Sequence, residues 1–249
     1  MEMTQTLSFW KKWTQARIGL GKVGHSIPTQ ELLNFKWAHA AARDAVLRNW
    51  KIESSKQALQ QIQIKSEILT SQAKSREEFL RRPDLGRALS LESRSHLQQS
   101  YSQSSFDLCL IASDGLSAFA IEEHLLGILT SLHENLRGLS FRVSPVFLVP
   151  YGRVAISDEI GALTHSKLSI IMIGERPGLS APNSMGIYLT YAPHIGNADS
   201  LRNCLSNIRP PHGLSYEEAS RKLTFLIRES LRLKLSGVNL KESDSLLPG

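Results

Sequence analysis

Apolar residues recur at helical spacing after Pro28, where Leu33, Trp37, Ala40, Ala41 and Ala45 fall three and four residues apart. The spacing predicts a helix capped by Thr29. Residues 51–82 continue in helix formers with no Gly or Pro before Pro83, and predict a second helix or a long broken one. Residues 90–105 turn to Ser, Gln, Leu and Arg without long apolar runs, which reads as a connection. Past residue 100 the pattern changes. Short apolar runs at 106–112, 146–149, 168–173 and 187–191 read as strands, and their continuous apolar character predicts a sheet covered on both faces. Between them, 116–136 and 154–164 read as helices. Residues 216–235 close the chain as an amphipathic helix with Ala219, Leu223, Leu226, Ile227 and Leu231 on one side. The alternation predicts an α/β fold: a Rossmann-like parallel sheet domain over residues 101–249, preceded by a mostly helical region over residues 1–100.

The 249 residues are 41% hydrophobic and 21% charged, an ordinary balance for a globular chain that buries a core. The apolar runs, that at 146–149 among them, are far short of a bilayer-spanning helix, and no secretory signal is expected at the N-terminus. With only Cys109 and Cys204, neither a disulfide framework nor a four-cysteine zinc site is available. These readings point to the cytoplasm and away from a membrane. Charge is uneven: residues 1–100 hold 16 Lys and Arg against 9 Asp and Glu, and residues 101–249 hold 13 against 14. The basic excess belongs to the first part, where it alternates with Glu and Gln. That pattern suits a solvated helix face or a surface meeting an acidic protein more than nucleic acid.

Several segments carry candidate chemistry. Gly19, Gly21 and Gly24 have the G-x-G-x-x-G spacing, but no buried strand is expected before them and Pro28 falls where a phosphate-binding helix would run. A turning glycine loop is the better reading. No pair of histidines has zinc-helix spacing. Ser113 to Ser117 follow a predicted strand, so Ser113 or Asp114 is a candidate helix cap or ligand contact. Glu175 and Arg176 emerge from the end of another predicted strand, either as a local ion pair or as the lining of a binding crevice. Residues 202–210 are dense in hydrogen-bonding groups and read as an ordered loop. Cys204 within them is a small packed residue or a nucleophile.

Taken together, the segments ARIGLGKVGHSIPT, FKWAHAAARDAV, RRPDLGR, SDGLSA, VPYGRVAISDEIG, IGERPGLSAPNSMGIYLTYAP, RNCLSNIRP and GLSYEEASRKL resemble the small (light) subunit of adenosylcobalamin-dependent ethanolamine ammonia-lyase. The match spans about residues 16–240. The resemblance implies a hetero-oligomer in which a large subunit binds ethanolamine and this chain completes the cobalamin site, with a radical mechanism giving acetaldehyde and ammonia. It implies cofactor contacts at Val154, Glu175 and Cys204, with Cys204 a wall of the corrin pocket, and assigns no catalytic residue or metal ligand to this chain. The D-x-H-x-x-G pattern that replaces the cofactor's own base with histidine is absent from the sequence, so that base is expected to stay on cobalt. Fifteen residues precede Ala16, where family members carry a longer arm linked to packaging. The expected location is the cytoplasm, with the interior of a bacterial microcompartment as the alternative. Leu7, Phe9, Trp10 and Trp13 then read as a shortened amphipathic remnant or as a contact with a neighbouring subunit.

Two rivals stand beside this reading. An RNA-binding accessory protein would use the basic first hundred residues and bind with a steep salt dependence. A nucleotide-dependent oxidoreductase would need a strand before Gly19 and an acidic ribose ligand, for which only Asp44 lies near the right distance.

Overall fold

The computed structural model describes residues 9–10, 13–14 and 16–240. Leu7 of the proposed amphipathic remnant lies outside them. Helix α1 (Thr29–Leu47) follows the glycine segment, in which Gly19, Gly21 and Gly24 all take positive φ. No strand precedes those glycines among the described residues, so the dinucleotide geometry is not formed. Thr29 is the first helical residue rather than the cap, a place taken by Pro28 without a side-chain hydrogen bond. Pro28 has no N–H of its own and a φ suited to a helix start, so the helix begins without a hydroxyl.

Residues 51–82 are not one helix. They divide into α2 (Ile52–Gln61), the short strand β1 (Ser66–Ile68) and α3 (Arg76–Arg81). The expected connection at 90–105 contains a helix, α4 (Leu91–Ser100), started by Ser90, whose hydroxyl accepts from the Ser93 N–H at 3.1 Å. Its polar face hid it, since only Ser93 and Leu97 are buried.

The remaining elements are β2 (Leu108–Ser113), α5 (Ala118–Leu136), β3 (Val143–Leu148), α6 (Ile156–Leu163), β4 (Leu168–Gly174), β5 (Met185–Tyr191), β6 (Arg202–Ile208) and α7 (Tyr216–Leu233). They build one six-stranded sheet in the order β1-β3-β2-β4-β5-β6. Strand β1, which lies before residue 100, thus joins the sheet of the second part. β1, β3, β2 and β4 are mutually parallel, but β4–β5 and β5–β6 are antiparallel. This corrects the expectation of a wholly parallel sheet. Loop length is the reason: residues 175–184 and 192–201 are too few for the helical crossover that a parallel return requires. Residues 202–210, expected as loop, supply the edge strand β6, whose outward positions are polar and therefore lack an apolar strand signal.

All residues of β2 and β4 are buried, and alternate side chains enter different layers. Leu108, Leu110, Ala112, Ile170 and Met172 pack with α2, α5 and α7. Cys109, Ile111, Phe147 and Ile171 pack on the other side with Leu97 of α4 and Ile156 and Ile160 of α6. At the carboxyl edge the β2–α5 turn presses against the end of β4. A Cβ on Gly115, at φ +49°, would lie 2.5 Å from the Gly174 carbonyl, and one on Gly174 would lie 2.1 Å from the Ser117 carbonyl. Among the described residues no helix is long and apolar enough to cross a membrane.

A buried ion pair ties α6 to β6. Both terminal nitrogens of Arg202 donate to the Asp158 carboxylate at 2.7 Å, Nη1 also donates to Thr190 Oγ1, and Nη2 donates to the Asn197 carbonyl. Removing Arg202 strands the Asp158 charge in the interior, and removing Asp158 leaves the buried Arg202 with only the exposed Asp199 at 3.3 Å. Asp158→Ala or Arg202→Met is expected to destabilise the chain by about 3–5 kcal/mol, and the double change Asp158→Leu/Arg202→Met by clearly less than the sum. Equilibrium denaturant unfolding of the three variants checks this.

Candidate functional site

The pairing directions bring the carboxyl ends of β1, β3, β2, β4 and β6 and the start of β5 to one edge of the sheet. The SDGLS segment at the end of β2 holds this edge together. Asp114 is fully buried; its Oδ2 accepts from Arg76 Nη1 at 3.1 Å and its Oδ1 from the Tyr151 N–H at 2.6 Å. Burial pushes its carboxyl up to about 6 against the opposing pull of Arg76. Ser113 Oγ accepts from the Gly152 N–H at 3.0 Å. Neither residue caps α5, as the sequence had suggested. Ser117 does, accepting from the Ala120 N–H at 3.2 Å, because Ser113 and Asp114 are committed to the loop after β3.

Glu175 follows β4 directly. Its N–H donates to the Ser184 carbonyl at 2.9 Å, which aligns it with the start of β5. Its Oε2 accepts from Ser184 Oγ at 2.5 Å and from the Asn207 N–H at 3.3 Å, and its Oε1 accepts from Ser206 Oγ at 2.5 Å. Gly186 makes room for this: a Cβ there would stand 2.9 Å from Glu175 Oε1. The carboxylate makes no ion pair among the described residues, so the local pair with Arg176 is not formed. A carboxylate offers about four acceptor positions, and three are used.

Cys204 lies in the middle of β6, opposite Tyr188 of β5, and is exposed. Ser206 follows two residues later and therefore shares its face. Tyr188 packs on the same apolar layer as Val154, which is half-buried in the turn leading into α6. The Val154 carbonyl accepts from the N–H and hydroxyl of Ser157 at 3.1 and 2.8 Å. Glu175 and Cys204 are thus neighbours through Ser206 and Tyr188, while Val154 borders the same region from the α6 side. Helix α6 covers this face at Arg202 and Thr190 and stops short of Cys204 and Ser206. The result is an uncovered stretch of sheet with an apolar flank, an exposed thiol and a fixed carboxylate.

Tyr188 and Ser206 belong to this surface, and the buried Ser184 and Gly186 lie beneath it, although none stands out in the sequence as a site residue. Period-two reading would have found them: Gly186 and Tyr188 alternate along β5 as Cys204 and Ser206 do along β6. The signal was masked because residues 202–210 resemble a loop.

Fold and surface together define an α/β chain with an open sheet face at its carboxyl edge. Comparison with known proteins gives this class its family. The model of the ethanolamine ammonia-lyase light chain family matches residues 4–241. The ethanolamine ammonia-lyase small subunit of Azotobacter vinelandii is 44% identical over 93% of this chain and 86% of its own length. Those of Pseudomonas fluorescens strain SBW25 and Pseudomonas aeruginosa strain LESB58 are 47% and 46% identical, again over 93% of this chain, covering 84% and 85% of theirs. The chain belongs to the ethanolamine ammonia-lyase light chain family, a family of ammonia-lyase subunits.

The two cysteines differ in a measurable way. Burial pushes the Cys109 thiol up to about 12. Cys204 is also raised: contact with its neighbours strips water from part of the thiol, and the Glu175 charge adds to this, against a hydrogen bond from Tyr188. A raised pKa lowers the thiolate fraction at any given pH. In the native chain, iodoacetamide is expected to label Cys204 alone, more slowly at pH 8 than it labels a free cysteine, with the rate climbing above pH 9. Glu175→Gln should speed the reaction at pH 8. Peptide mapping by mass spectrometry reads both sites, and Cys109 should react only after denaturation.

Proposed function

We propose that this chain is the small subunit of an adenosylcobalamin-dependent ethanolamine ammonia-lyase, and that with a large, substrate-binding subunit it converts ethanolamine to acetaldehyde and ammonia. The observation that carries the reading is the uncovered sheet face shared by Glu175 and Cys204 and bordered by Val154. When bound, adenosylcobalamin supplies the radical that takes a hydrogen atom from the substrate.

The residues suit such a cofactor. A corrin is a broad disc with an apolar face and amide arms on its rim, and it needs apolar contact with a few fixed acceptors. Val154 and Tyr188 provide apolar surface. Cys204, with its thiol held protonated, is a small neutral wall rather than a nucleophile. Glu175 keeps one acceptor position for an amide N–H, and its other positions are occupied by Ser184, Ser206 and Asn207, which fix its direction. Such prior ordering reduces the cost of binding.

We read the parallel strands as a Rossmann-like layer lining the cofactor, and the helical region over residues 1–100 as the surface facing the large subunit. Leu33 and Trp37 of α1 are exposed, as expected of a helix that awaits a partner. We place the complex in the cytoplasm, in keeping with the lack of a membrane-spanning helix among the described residues. The RNA-binding alternative finds no support. Arg48, Arg76 and Arg94 of the first hundred residues pair with Glu122, Asp114 and Glu159 of the second part, which answers three of the seven excess positive charges.

The chain alone is expected to show no turnover of ethanolamine; turnover free of any partner would overturn the subunit reading. In the two-subunit complex, Glu175→Gln should weaken adenosylcobalamin binding by about 1 kcal/mol, and Glu175→Ala by roughly 1–3, because the latter leaves corrin amides unpaired. Cys204→Ala should retain near-normal turnover at saturating cofactor, whereas Cys204→Trp should lose it by filling the cofactor's volume. Turnover measured against adenosylcobalamin concentration distinguishes these outcomes.

A further inference from the structure

Across the carboxyl edge from Glu175 lies a cavity of about 460 Å³ between α1, the end of α3 and the loops after β2, β3 and β4. Its lining holds three guanidinium groups, Arg43 from α1, Arg153 from the β3 loop and Arg176 from the β4 loop, beside His39 of α1, with Val46 and Leu116 among the apolar walls. No lining residue is acidic. Arg43 reaches the exposed Asp44 at 3.7 Å, whereas Arg153 and Arg176 make no ion pair among the described residues.

Arg153 is held in place without being neutralised. Its guanidinium lies over the Phe79 ring at 4.3 Å, and its Nε is buried with no hydrogen-bond partner. Burial, and then the like charges of Arg76, Arg176 and Arg87, pull its pKa down. The carboxylates that might have answered this charge are engaged elsewhere. Asp114 is taken by Arg76 and the Tyr151 N–H. Glu175 is bound by Ser184, Ser206 and Asn207. Arg76, only 6% exposed, keeps its Nη2 buried and unpartnered.

Guanidinium groups crowded beside apolar walls repel one another and retain unused donors, and a bound anion offsets both costs. The volume suits a small ligand group. A carboxylate presents one planar fork, best matched by a single arginine, whereas the oxygens of a tetrahedral phosphate diverge and can take donors from separate loops. We propose that this cavity is a phosphate subsite in which Arg153 and Arg176 bind the oxygens of a phosphate ester. Two sources share that chemistry. One is a free phosphate ester. The other is the phosphodiester in the nucleotide tail of cobalamin, an assignment that rests on the function proposed above; Arg153 and Arg176 are the chain neighbours of Val154 and Glu175.

The test has two arms, and Arg176→Gln is the principal variant because Arg176 is exposed and its loss should not disturb folding. In the first arm, calorimetry of the full chain with inorganic phosphate should show saturable binding that chloride at equal ionic strength does not reproduce. Arg176→Gln should weaken it about tenfold or more, the loss expected of one hydrogen bond between charged groups. In the second arm, the two-subunit complex is titrated with adenosylcobalamin and with adenosylcobinamide, which has the same corrin but lacks the nucleotide and its phosphodiester. Weakening of cobalamin alone by Arg176→Gln assigns the phosphate to the cofactor. Loss of inorganic phosphate binding with both corrinoids unaffected assigns a free ester. If phosphate binds no better than chloride and Arg176→Gln leaves both corrinoids unchanged, the subsite is overturned. A complex that binds no corrinoid removes the cobalamin reading and leaves the first arm to decide the subsite.

Discussion

The structure depends on covering both faces of β2 and β4. Their side chains are buried along their whole length, and alternate residues such as Cys109 and Leu110, or Ile170 and Ile171, must find apolar neighbours in opposite directions. Helices are therefore required on each side, and the chain supplies α2, α5 and α7 to one and α4 and α6 to the other. Burial of so many Leu and Ile side chains, at about 1.5–3 kcal/mol each, is the dominant favourable contribution to the fold. β5 and β6 run on past α6, which reaches them at Thr190 and Arg202. The bare stretch at Cys204 and Ser206 is thus a direct product of the layer geometry, in which a short helix of Ile156–Leu163 cannot shield a widening sheet.

That bare stretch leaves Cys204 and Ser206 uncovered within this chain. An exposed sheet face with a pre-oriented carboxylate offers one wall and leaves the opposite wall to another molecule. Helix α1 tells the same story at the other end of the chain. In its 19 residues only Ala45 is buried, so its stability as a helix on this chain alone comes from few contacts, among them the ion pair between Arg48, just past its end, and Glu122 of α5. A helix this apolar and this uncovered is economical only in a complex.

Much of this was legible in the sequence, for reasons that can be named. The central strands and α5, α6 and α7 have unbroken apolar runs or clear helical periodicity, and their observed bounds fall within a few residues of those expected. Strand direction was not legible, since a buried strand reads alike in either sense, and only the short 175–184 and 192–201 connections betray the antiparallel turns. β6 was missed because an edge strand needs apolar residues on one side at most. Arg202 and Asn203, which looked like loop chemistry, are structural: one pairs with Asp158, and the other ties Gly237 and Leu240 to the edge. Of the candidate site, Glu175 was singled out by its place at a strand end, and Val154, Glu175 and Cys204 together by the family resemblance. Their supporting Ser184, Gly186, Tyr188 and Ser206 emerged only once the strands were paired, because the residues meet through register and not through nearness in sequence.

The Asp158–Arg202 pair also has a consequence for the order of events in making the protein. Its partners are 44 positions apart, and they stand four residues after Val154 and two before Cys204. Until the ribosome has released β6, Asp158 lacks this counter-charge; α6 already packs on β2 to β4 and Glu159 already meets Arg94, but the open face still lacks the strand that carries Cys204. Formation of this surface is therefore a late event, completed only when the last strand of the sheet has been made.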